Sequence, residues 1–100
     1  MRKTLQVDLK DKFWYLNYLE TQQKEIQQLI SSRTWESALG TIEECRGSMD
    51  FFGFSDLFPL FEELESAVEA ETSVRCSKAL ERIQETLNEK RIALAKRPSQ

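Results

Sequence analysis

Apolar residues recur along most of this chain at intervals of three and four, the spacing that lines one face of an α-helix. From about Asp8 to Ser31 the stripe runs through Leu16, Leu19, Ile26 and Ile30, widened by Tyr15, Tyr18 and Leu29. The segment "SSRT" interrupts it, and Thr34 is placed to cap a second helix reaching about Phe52. Trp35, Ala38, Leu39, Ile42, Cys45, Met49 and Phe52 share the apolar face of that helix. Gly53 fits a left-handed C-terminal cap, and Ser55 is placed to cap a third helix that buries Leu57, Phe61, Leu64 and Val68. Pro59 falls within its first turn or so, where a missing N–H does least harm. After the turn "EAETS", a fourth helix from about Ser73 to Ala95 uses Cys76, Leu80, Ile83, Leu87 and Leu94. The ends, "MRKTLQV" and "KRPSQ", read as an N-terminal arm and a frayed tail.

Four helices joined by short loops predict antiparallel neighbours. The expected fold is all-α, an up-down-up-down four-helix bundle forming one domain over residues 1–100. Three glycines and two prolines in 100 residues leave little room for loops, which agrees. The net charge of −3 is interspersed, and no cluster of Lys and Arg offers a nucleic-acid surface. No apolar run approaches the roughly 20 residues of a membrane span, and no signal-peptide core is present, so a cytoplasmic location without membrane insertion is expected. Cys45 and Cys76 both fall on apolar stripes and read as buried, reduced thiols. Histidine is absent, and no triad, phosphate loop or metal constellation is present. Neither an enzyme nor a cofactor or metal is expected.

The second helix carries a second stripe away from its apolar face. Glu36, Gly40, Glu43, Gly47 and Asp50 step by four and three residues, with Arg46 and Phe51 beside them. Each glycine in a helix interior costs about 1 kcal/mol relative to alanine, and here the cost is incurred twice. The stripe is either a solvated acidic face whose glycines let a neighbouring helix pack closely, or a surface kept open so that another protein can approach the backbone around Glu43. Glu36 and Glu43 lie two turns apart, about 10 Å by helix rise, too far to share one metal ion. Phe13, Trp14 and Tyr15 are consecutive and span about 200° of helix, so at least one should face outwards.

The run IEECRGSMDFFGFSDLFPLFEELE, residues 42–65, resembles the core of histidine-containing phosphotransfer (HPt) domains of two-component signalling. Arg46, Gly47 and Ser48 stand where that family has Lys-Gly-Ser, Gly53 follows Gly47 by six residues, and Leu64-Glu65 continues the pattern. "RTWESAL" is similar to the family's usual lead-in, and the resemblance extends over about residues 12–90. The phosphoacceptor histidine of the family falls four residues before the first glycine, a position occupied here by Glu43. The resemblance therefore implies a pseudo-phosphotransfer module that docks a partner without relaying phosphate. The implied partner is the receiver domain of a response regulator or hybrid sensor kinase. In that setting Gly40 and Gly47 give close approach, and Arg46 contacts a phosphate or the edge of an acidic pocket. Glu43 takes the acceptor's place near the receiver's Mg²⁺, with Asp50 on the same stripe, and Phe51 extends an apolar docking patch. The alternatives are a structural or oligomerisation bundle with no receiver partner, or a chain in which a natural histidine has been replaced by glutamate.

Overall fold

The computed structural model describes residues 9–96. The expected start at Asp8, the N-terminal arm and the tail beyond Lys96 lie outside these residues. Four helices make up the described chain: α1 (Leu9–Ser31), α2 (Trp35–Met49), α3 (Phe58–Glu69) and α4 (Ser73–Lys96), with a 3-10 turn at Ser55–Leu57 leading into α3. The protein is an all-α four-helix bundle. α1 packs on α2 and α4, and α3 packs on the same two helices from the opposite side. Arg91 of α4 reaches Asn17 and Glu20 of α1, while Leu80 meets Gln23, so α1 and α4 run in opposite senses. Arg75 and Arg82 pair with Ser66 and Glu63 in the same reversed order, which sets α3 against α4.

The predicted stripes meet in one core. Leu16, Leu19 and Ile26 face Ala38, Ile42, Cys45 and Met49, and are joined by Leu57, Phe61, Leu64 and Val68 and by Cys76, Ile83 and Leu87. Burying each large aliphatic side chain contributes about 1.5–3 kcal/mol, so four such faces outweigh the weak intrinsic stability of short helices. Gln23 is the exception. It occupies a core position of α1 at 6 % exposure, donates an amide hydrogen to the Leu80 carbonyl at 3.3 Å, and leaves its Oε1 without a partner.

The helix ends differ from expectation in instructive ways. Thr34 does not cap α2 with its side chain. Its hydroxyl is shared with Ser32 at 2.9 Å, and its N–H closes back onto the Leu29 carbonyl at 2.8 Å, finishing α1 instead. Ser55 opens the 3-10 turn without a side-chain cap bond, and α3 begins at Phe58 with Pro59 in its first turn. α2 proper stops at Met49, and residues 50–52 add one loose turn, Phe52 N–H reaching the Ser48 carbonyl at 3.3 Å. Gly53, at φ +80°, then closes it as expected, with Phe54 N–H bonded to the Met49 carbonyl and Gly53 N–H to that of Asp50. The turn carries Phe54 into the core and leaves Phe52 half-buried. The same pair of bonds ends α1 and α3, where the left-handed position is held by Arg33 (φ 60°) and Glu71 (φ 52°).

Candidate docking face on the second helix

Around α2, advancing about 100° per residue, the core positions Ala38, Ile42, Cys45 and Met49 take one side. Ser48 and the following Phe52 point towards α1, and Arg46 points towards α3. Between them, on the far side from the core, lie Glu36, Gly40, Glu43, Gly47 and Asp50, all exposed. A Cβ at Gly40 or Gly47 would meet nothing within 4 Å. The glycines therefore serve no close helix packing among the described residues, and the first of the two readings of the stripe loses its reason for them there. Their cost in helix propensity is not recovered by any contact among the described residues.

Aromatic side chains border the α1 edge of this face. Of the three consecutive aromatics, Tyr15 is buried, Phe13 is half-buried and Trp14 stands 58 % exposed. Trp14 stacks on Tyr18 with centroids 5.9 Å apart and meets Phe52 at the same separation. Phe52 lies flat on Tyr15 at 4.2 Å and edge-on to Phe51 at 5.0 Å. Phe51, one turn beyond Gly47, is 60 % exposed, with no burial against α1. A continuous aromatic surface thus runs from Trp14 across the seam to Phe51. Its foundation is Tyr15, whose hydroxyl donates to the Cys45 carbonyl at 3.1 Å and shares a 2.8 Å bond with Ser48. Burial pushes the Tyr15 hydroxyl up to about 12 despite the bond from Ser48, and it pushes the Cys45 thiol up to about 12 with help from Glu44. Tyr18 moves the same way, from burial first and then from Cys45 and Glu44. These groups are neutral anchors rather than acid–base reagents.

The opposite edge is ionic. Arg46 pairs with Glu65 of α3, approaches Glu62 at 3.8 Å and lies over the Phe58 ring at 5.6 Å. Its side chain is 26 % exposed and its Nε is buried without a hydrogen-bond partner. Arg46 was expected to reach a partner's phosphate or acidic pocket; in this structure it is held by α3 and clamps two helices. Glu36, Glu43 and Asp50 form no ion pair among the described residues, so the face as a whole is acidic.

The structure thus brings Gly40, Glu43, Gly47, Asp50 and Phe51 together on one open surface and turns Arg46 to its rim. Sequence reasoning missed Tyr18, Phe52 and Ser48 as parts of this surface. Ser48 was legible only as one residue of the Arg-Gly-Ser run, because its contact lies 33 residues away in the chain. Cys45 and Cys76 are buried and unpaired. Among the described residues, no group of three or more His, Cys, Asp or Glu is placed to hold a metal ion, and no helix is long and apolar enough to cross a membrane. No family model matches the chain, and neither a curated protein nor a solved structure matches it.

Proposed function

We propose that the protein is a non-catalytic, HPt-like module of two-component signalling that acts in the cytoplasm. It binds a receiver domain of a response regulator or hybrid kinase and modulates a phosphorelay without carrying phosphate. The observation that carries this reading is the pair of open glycines flanking Glu43. Their Cβ positions face empty space on an exposed stripe, beside a surface Phe and Trp. A helix that gives up about 1 kcal/mol twice with no internal return is arranged for something outside the chain.

Glu43 replaces an imidazole with a carboxylate. Moving a phosphoryl group onto it from an aspartyl phosphate would bring two anions together, with Arg46 already engaged by Glu65. A carboxylate presented to an acidic pocket is repelled by a few kcal/mol at short range and intermediate dielectric. A divalent cation in that pocket reverses the sign and accepts hard oxygen ligands. Titration calorimetry against receiver domains from the same cell, with and without Mg²⁺, tests the reading. Binding should strengthen with Mg²⁺, Glu43→Gln should weaken that dependence, and a phosphorylated receiver should leave the chain unlabelled. Stable label mapped to Glu43 overturns the non-catalytic assignment. Absence of binding to every receiver leaves the structural-bundle alternative.

A further inference from the structure

The face described above sets exposed aromatic rings among carboxylates, and this constrains what can sit on it. From α1 towards α3 the order is aromatic (Trp14, Phe52, Phe51) with the exposed Glu44 beside it, bare backbone (Gly47), then carboxylate (Glu43, Asp50). The aromatic edge exposes rings that no part of the described chain covers. Among the described residues no cation pairs with the carboxylate edge, Arg46 being taken up by Glu65 and Glu62. The bare stretch admits a rod-like element lying close along α2. An apolar patch flanked by one sign of charge selects a partner with the complementary arrangement.

From this order of surfaces we infer that the occupant is an amphipathic helix of another protein. Its apolar stripe rests on Trp14 and Phe51, it crosses at Gly47, and Lys/Arg side chains along its edges face Glu44 and Asp50. This rests on the reading of the face as a docking site and names the partner element that the face selects. The basic edge gives two separable contributions. The aromatic contact is insensitive to salt, whereas the contact of exposed charges is screened within about 10 Å at moderate ionic strength.

The test uses the full chain carrying Trp35→Phe, which leaves Trp14 as its one tryptophan. Two synthetic helices of about 18 residues, or five turns, share one leucine stripe and differ only in flanking it with Lys or with Glu. Trp14 emission is followed at about 50 mM and about 300 mM salt. The Lys-flanked helix should shift the emission to the blue and bind at least about tenfold more tightly than the Glu-flanked one, an advantage that shrinks at high salt. Phe51→Ser should weaken binding at both salt concentrations and Asp50→Lys only at the lower one. Val74→Ser, at the opposite end of the bundle, should change nothing. Equal affinity for the two helices, no binding of either, or an equal loss in Val74→Ser overturns the inference. A receiver that binds with no salt dependence overturns the basic edge while preserving the receiver reading. Binding of the Lys-flanked helix without binding of any receiver does the reverse.

Discussion

The outward faces of α2 and α4 are both exposed and both charged, yet only that of α2 leaves its backbone bare. On α4, Arg82 is paired with Glu63, Lys90 with Asp56 at 2.6 Å and Arg91 with Glu20, so three of its cations tie α4 to a neighbouring helix or its approach, while Glu81, Glu85 and Glu89 stay exposed outside any ion pair among the described residues. Lys90 also lies over the Phe54 ring at 5.2 Å. On α2 only Arg46 does this, while Glu36, Glu43 and Asp50 are left facing outwards with two glycines among them. α4 has no glycine at all. Unpaired acids are common to both faces; that of α2 adds bare backbone beside an exposed Trp and Phe, and this difference marks where a partner belongs.

The strongest way to break this comparison is to fill the bare backbone. Gly47→Leu should reduce receiver affinity by about a hundredfold or more, equivalent to about 2.7 kcal/mol, while Glu85→Leu on exposed α4 surface should leave it unchanged. Calorimetry on both variants decides the point, and equal effects would erase the distinction between the faces.

Stability should move in the opposite direction from binding. Gly40→Ala and Gly47→Ala together should raise the unfolding free energy by up to about 2 kcal/mol, because each added methyl meets open space. The two sites lie about 10 Å apart along the helix, so the effects should add. Denaturant unfolding checks this, and a loss of stability would reveal a packing role for the glycines after all.

The ion pairs sharpen the contrast at a smaller scale. Arg46→Ala removes a partly buried guanidinium from Glu65 and from the Phe58 ring, and should cost about 1–2 kcal/mol. Arg82→Ala breaks an exposed pair and should cost about 0.5 kcal/mol or less. Thermal melts of the two variants side by side would show whether the α2–α3 seam is the stiffer one.

The smallest effects belong to the helix ends, where the same turn is built with and without glycine. Arg33→Gly and Glu71→Gly should each stabilise by about 0.5–1 kcal/mol by relieving a left-handed side chain, less the entropy glycine returns to the unfolded chain. Gly53→Ala should destabilise by about 1 kcal/mol, since its Cβ would be strained at φ +80° and would also press on the Lys12 side chain. Equal and opposite shifts in melting temperature are the expected result.

Local pattern by itself determined the helices, their core faces and the exposed stripe on α2. A repeat of three and four is a property of neighbouring residues, and the helix turns it into a face without help from the rest of the chain. Gly53 belongs with these, because the left-handed turn needs little beyond glycine's missing side chain. The tertiary structure decided what the stripe's neighbours do. Whether Arg46 faces a partner or Glu65 depended on where α3 came to rest. Tyr15 already belonged to the apolar stripe, but which of Phe13 and Trp14 faces outwards depended on how α1 packs on its neighbours. Thr34 and Ser55 have the chemistry of caps, yet the backbone of the adjoining turns satisfied those ends first. Phe54 entered the core because a left-handed residue redirected the chain towards Tyr15. These outcomes turn on contacts between residues far apart in sequence, and no local period encodes a distance between two helices.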